Sequence, residues 1–225
     1  MSFPIPELVP IPAGEITIGA VTDDKFANAS ETPTHVCRFG STFQMGKYPI
    51  RQDEWQAFQP GHPGATRSSR PVVNLSWYDA CSYVDWLRIE TDDRNWRLPT
   101  EEEWEYACRA GSRDVFSFGN NLAPDLANFH FDESIKPVGP GKLTEVDAYP
   151  PNPWGLHDLH GNTYEWTNTP WRPDYKTSSL SETYTVRGGS WDGLPRLLRT
   201  SAREGLPAKT KRDNLGIRIA YGGSA

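Results

Sequence analysis

The chain has 225 residues, with 29 acidic and 23 basic side chains; its 19 glycines and 20 prolines make up about 17% of it, against about 12% in average usage. A net charge of −6 with no basic stripe argues against a nucleic-acid ligand, and no apolar run approaches the length of a membrane span. The length is ample for one sizeable core, and nine each of Trp, Tyr and Phe supply the buried area that short elements between turns require.

The first residues, MSFPIPELVPIPAGEITIG, hold neither a basic n-region nor a continuous apolar stretch, so no signal peptide is expected. Cys37, Cys81 and Cys108 form no CxxC pair and leave at least one thiol unpaired, which points to a reducing cytoplasm.

Leu8 to Gly19 reads as a strand pair broken by Pro and Gly, Phe39 to Tyr48 as a further strand and Arg51 to Phe58 as a short helix. Ser76, three residues before Asp79, is a helix N-cap; Trp77, Ala80, Cys81, Val84 and Leu87 then share one face at helical spacing. Thr100 and Glu103 form a capping box for a second helix, with Trp104, Ala107 and Cys108 on its inner face and Gly111 as its stop. The three cysteines read as small apolar core residues.

Residues 120–151 read as a long loop with one strand at 145–148, and a loop of that length needs an organiser, either an ion or a set of aromatics. Asn214 to Tyr221 reads as a terminal strand. The expected class is α+β, with two packed helices, short antiparallel strands and much structured loop.

Four segments in order, Arg97-Leu-Pro-Thr-Glu-Glu-Glu-Trp-Glu-Tyr106, Asn152 to Trp166, Arg187-Gly-Gly-Ser-Trp191 and Asn214-Leu-Gly-Ile-Arg218, resemble the formylglycine-generating-enzyme (sulfatase-modifying-factor) domain. Pro12-Ala-Gly14 and Asn74-Leu-Ser-Trp77 extend the resemblance over nearly the whole chain. It implies a single domain over residues 1–225 with a C-type-lectin-like fold and long loops.

The resemblance also implies structural Ca²⁺, held by the Asp158 side chain, the carbonyls of Gly161 and Thr163, and the Glu165 carboxylate, a mixed oxygen set that suits calcium. A second family site begins at Asn128 with the Phe129 carbonyl, without an acidic ligand that can be placed. The alternatives are metal-free hydrogen bonding by Asp158 and Glu165 to loop N–H groups, and zinc at His157 and His160.

The oxidase of the family uses a cysteine pair shortly after Arg-Gly-Gly-Ser to bind copper, and soft Cu(I) needs thiolates. Here Trp191 to Arg203 contains no cysteine, no His triad for a bound iron is present, and Ser190 has no evident base. A non-catalytic binding module is therefore expected, with a metal-dependent oxidase as the alternative.

Within residues 187–218, Arg187, Gly188, Gly189, Ser190, Trp191, Arg199, Ser201, Arg203, Asn214, Gly216 and Arg218 match the recurring pattern and read as scaffold. Interleaved are Asp192, Gly193, Leu194, Arg196, Leu197, Thr200, Glu204, Leu206, Ala208, Lys209 and Lys211, which with Trp191 make the expected contact face. The arrangement resembles the variable proteins of diversity-generating retroelements, which implies a protein or other macromolecular ligand; an ordinary family domain with a plain loop is the other reading.

Overall fold

A computed structural model describes residues 3–63 and 68–223. Its strands are β1 (Leu8–Ile11), β2 (Gly14–Ile18), β3 (His35–Phe39), β4 (Phe43–Gly46), β5 (Trp96–Arg97), β6 (Tyr164–Pro170), β7 (Thr183–Arg187), β8 (Arg203–Pro207), β9 (Leu215–Ile217) and β10 (Ala220–Tyr221). The helices are α1 (Gln52–Phe58), α2 (Trp77–Glu90) and α3 (Glu101–Arg109), with single 3₁₀ turns at Ala29–Glu31 and Pro195–Leu197.

One sheet runs β1-β4-β10-β5, a second pairs β2 with β3, and a third runs β8-β7-β6-β9, in which β6 and β9 are parallel. The expected pairing of β1 with β2 does not form. Pro12 and Ala13 leave two residues between them, and each strand takes its own partner, β1 with β4 and β2 with β3. The expected terminal strand is likewise two strands in two sheets. Ile50 N–H donates to the Ile217 carbonyl and Gly46 N–H to the Ile219 carbonyl, so the chain between β9 and β10 stitches the sheets together.

Both long helices start where the caps require. Ser76 accepts from Asp79 N–H while Asp79 accepts from Ser76 N–H, and Thr100 and Glu103 repeat the reciprocal pair. Ala110 is left-handed and Gly111 (φ +88°) ends α3. The two helices are not packed as a pair. Ala80, Tyr83, Val84 and Leu87 of α2 join Trp55, Trp166 and Ile217 in one apolar cluster, whereas Trp104, Ala107 and Cys108 of α3 join Ile11, Phe43 and Met45 in another. Cys81 and Cys37 are only partly buried, and Cys108 is fully enclosed.

The segment expected as a strand at 145–148 is a turn closed by Ala148 N–H on the Glu145 carbonyl. The organiser of the long loop is a pair of buried asparagines. Asn128 Nδ2 donates to the Lys142 carbonyl and to Asn162 Oδ1, which also accepts from Thr144 N–H. Phe116, Ala127, Phe129 and Leu198 pack beneath them.

Charges are buried in the fold to an unusual extent, and most of them are ion-paired. Glu101 and Glu105, one turn apart on α3, hold Arg203 (2.5 and 2.7 Å) and Arg187, respectively; Arg109 also takes Glu105 at 2.7 Å. Arg199 reaches Glu31 at 2.6 Å and Asp24 at 2.6 Å, and Arg218 reaches Glu165 at 2.8 Å. Removing one partner strands the other charge in a dry site, at a cost of about 3–5 kcal/mol. Arg203→Ala is therefore expected to lower stability by that amount in denaturant unfolding, and the double change Glu101→Gln with Arg203→Met to recover part of it. A double variant no more stable than the single one would refute this pairing as the cause.

Candidate binding face

After β7 the chain turns sharply through Gly188 and Gly189, both with positive φ, and enters the loop at Ser190. Two arginines fix its ends. The Arg187 guanidinium donates to the carbonyls of Thr200, Ser201 and Ala202, and Arg199 is clamped by Glu31 and Asp24. Between them Trp191 N–H donates to the Asn162 carbonyl, Phe131 N–H donates to the Gly193 carbonyl, and Glu133 accepts both Arg196 N–H and Arg196 Nη1. Ten hydrogen bonds thus hold the loop, and only the one from Arg196 Nη1 uses a side chain of the expected contact set. These scaffold assignments from the sequence stand: Arg187, Ser190, Arg199, Ser201, Arg203 and Arg218 are all buried.

Of the expected contact residues, Asp192, Leu197, Lys209 and Lys211 are exposed, and Trp191, Leu194, Arg196 and Glu204 are half-buried. Four others are corrected. Gly193 is buried, with no room for a Cβ clear of the Ser190 carbonyl. Thr200 is enclosed, its N–H and hydroxyl both on the Val115 carbonyl. Leu206 belongs to the main apolar cluster, and Ala208 bonds Trp77 and Glu182 through its backbone. None of these four positions presents a side chain to solvent.

The start of the loop forms a polar notch. Ser190 Oγ donates to Asp192 Oδ1 at 2.6 Å, and Asn214 Nδ2 donates to the same oxygen at 3.0 Å. Trp191 Nε1 and Asn214 Oδ1 are enclosed without a partner. The side chain of Tyr164 lies close enough to Asp192 and Glu204 that they add to the burial that pushes its hydroxyl pKa up. No histidine contacts Ser190; its hydroxyl is spent on a carboxylate, so it is not set up as a nucleophile.

The expected metal ligands lie in one buried segment with unequal fitness. Glu165 accepts from Arg218 Nε and Nη2 and from Trp104 Nε1 at 2.6 Å, so its lone pairs and charge are already matched. Asp158 receives one donor, Asn162 Nδ2 at 3.1 Å, and burial pushes its carboxyl up to about 8. A cavity of about 10 Å³, room for one water-sized sphere, adjoins Asp158, Asn152 and His160. Asn128 Oδ1 is also enclosed and unpartnered. Asp158 keeps acceptor capacity that a cation could use; the Glu165 side chain does not. At Gly161 (φ +93°) any Cβ would strike the Asn128 carbonyl, so glycine is needed there on two counts.

The histidines have separate duties. His160 Nε2 accepts from Ser117 N–H at 3.1 Å, which leaves the proton on Nδ1 to donate to the Leu198 carbonyl at 2.7 Å; burial pushes this imidazole down to about 4. His157 bonds the Tyr149 carbonyl instead. Among the described residues no cluster of three His, Cys, Asp or Glu side chains is placed to hold a metal.

Sequence reading missed Glu31, Asp24 and Glu133, the acids that anchor the loop. Each lies some 60 to 175 residues from its arginine, and nothing local marks it. Asn162 was detectable as a polar residue enclosed within the Asn152 to Trp166 segment.

A family model described as the sulfatase-modifying factor enzyme 1-like domain matches residues 2–222. Inactive C-alpha-formylglycine-generating enzyme 2 of Mus musculus is 36% identical over 186 residues, covering 76% of this chain and 56% of that protein. Formylglycine-generating enzymes are also relatives, and the chain spans little more than half the length of the first curated proteins it matches. PvdO from Pseudomonas aeruginosa superposes with a TM-score of 0.84 at 27% identity, covering 96% of this chain and 94% of that one. Treponema denticola variable protein 1 superposes with a TM-score of 0.77 at 24% identity over 95% and 94% of the two chains, and so shares the fold. With a C-type-lectin-like α+β architecture and its motifs spread over the whole chain, this protein belongs to the sulfatase-modifying factor enzyme 1-like family.

Proposed function

We propose that the chain is a non-catalytic module that binds a macromolecular ligand, chiefly protein, through the loop from Trp191 to Lys211. The observation that carries this reading is the notch at its start, where the indole N–H of Trp191 and the amide oxygen of Asn214 lack partners beside the exposed Asp192 carboxylate. An enclosed polar atom without a partner costs about 1–3 kcal/mol, and a ligand whose docking shifts the notch side chains so as to reach it recovers that cost. Asp192, Leu194, Arg196, Leu197, Glu204, Lys209 and Lys211 form the display set, on a backbone held by partners elsewhere, which lowers the ordering cost of binding.

Copper-thiolate chemistry of the family type finds no support in the thiols. None lies on this face, and burial pushes Cys37 and Cys81 up to about 11 and Cys108 higher, which disfavours thiolate.

A yeast-displayed library randomised at the seven display positions tests the reading, since exposed substitutions usually change stability by less than about 0.5 kcal/mol each. Most members should fold, and selection against hen lysozyme should yield binders. The same library built at Thr200, Leu206 and Ala208 should mostly fail to fold. Equal folding of the two libraries would overturn the division.

Calcium at Asp158 and the carbonyls of Gly161 and Thr163 belongs to the same proposal. Folding raises the Asp158 carboxyl from its ordinary 3.8 to about 8, so without a cation the folded state favours the proton. Stability then declines as pH rises across that window, and a bound Ca²⁺ in the proton's place removes the decline. Thermal unfolding at pH 6 and pH 8 in chelator and in calcium reads this directly: calcium should raise the melting temperature more at pH 8, and Asp158→Asn should abolish the increment. Identical curves with and without calcium would sink the site.

A further inference from the structure

At its far end the same loop forms one wall of a groove of about 530 Å³, the size range of ligand clefts. The 3₁₀ turn Pro195–Leu197 stands on one side, residues 22–26 on another and residues 120–122 with 132–133 on a third. Phe26, Val115, Phe116 and Leu122 give it an apolar lining. Leu197 and Phe118, 41% and 38% exposed, continue that apolar surface beyond it.

The charges of the groove do not cancel. Asp24 is matched by Arg199, itself doubly held by Glu31, and Glu133 is matched by Arg196. Asp132 accepts loop N–H groups of Ser134 and Lys136, and among the described residues neither it nor Asp23 forms an ion pair. Lys25, beside them in the lining, lies over the Phe26 ring at 4.9 Å. The chain as a whole carries −6.

Resting on the binding-module reading, we propose that this groove takes a segment of a partner protein in which an apolar side chain stands next to a Lys or Arg. The apolar side chain enters between Phe26 and Leu122, and the cation meets Asp23 and Asp132. The walls are pre-set by the Arg199 and Arg196 ion pairs, so little ordering is needed on binding. Charge matching at a partly exposed rim makes the affinity fall with salt.

Fluorescein-labelled octapeptides alternating Lys with Leu, Glu with Leu, and Lys with Ser, measured by polarisation at low and high salt, test this on the intact chain. The Lys/Leu peptide should bind at least tenfold tighter than either of the others and weaken with salt. Asp23→Arg should lower its affinity at least fivefold. Asp92→Arg, an exposed change outside the groove, should leave it unaltered. Equal binding of Lys/Leu and Lys/Ser, equal loss in Asp23→Arg and Asp92→Arg, or no peptide binding overturns the groove while leaving the notch reading intact. A loss confined to Asp192→Asn would place the ligand at the notch instead.

Discussion

Two carboxylates on one face of α3 set the terms for the rest of the molecule. Glu101 and Glu105 are spaced one turn apart, both enclosed, and each is aimed at an arginine from the third sheet. A buried carboxylate without a cation costs several kcal/mol, so α3, β7 and β8 can dock in one register only. Register is fixed on the other side too, because the Arg187 guanidinium collects three consecutive carbonyls at the start of β8. Trp171 and Tyr175 then close over Arg203 at 4.4 and 4.3 Å, excluding water from the pair.

That arrangement explains how short strands carry a long irregular chain. Strands of two to seven residues bury little by themselves, so polar cross-links between distant segments do the joining. Arg199 ties residue 31 to the exposed loop, Arg218 ties β6 to the β4 end, and Arg97 ties α3 to the Gly222 carbonyl. Each arginine combines one or two carboxylates with one or more backbone carbonyls. The planar fork of the guanidinium allows this, and a lysine ammonium would not reproduce the geometry.

Local chemistry was legible in the sequence and long-range pairing was not. The caps at Ser76 and Thr100, the stop at Gly111 and the scaffold arginines follow from neighbouring residues and motif order. The split of the last strand depends on which sheet captures each half, and the acids opposite Arg199 lie in an N-terminal loop without periodicity. The misplaced contact residues had a signal that went unused. Leu206 and Ala208 alternate along β8 and its extension, so they share one face, and an apolar pair marks that face as the inner one. For Glu165, a calcium ligand by the family resemblance, the partner is also remote: Arg218 reaches it through the fold and supplies a cation internally.

The same cross-links decide what the exposed loop is free to change. Its ends are held by Arg187 and Arg199, its middle by backbone groups of Trp191, Gly193 and Arg196, and none of those bonds involves Leu194, Leu197, Lys209 or Lys211 side chains. Four display residues do make side-chain bonds: Glu204 pairs with Arg212 and Lys211 with Asp79, away from the loop's own anchors, and two others tie the loop itself. Asp192 accepts from Ser190 and Asn214, and the Arg196 side chain bonds Glu133. For Arg196 the tie is partly redundant, since its own N–H also bonds Glu133 and survives any substitution other than proline. Asp192 has no such substitute: it is the acceptor on which both the Ser190 hydroxyl and the Asn214 amide converge. The loop therefore varies most freely toward the groove and least at the notch, where changing one side chain resets the hydrogen bonding of buried Ser190 and half-buried Asn214.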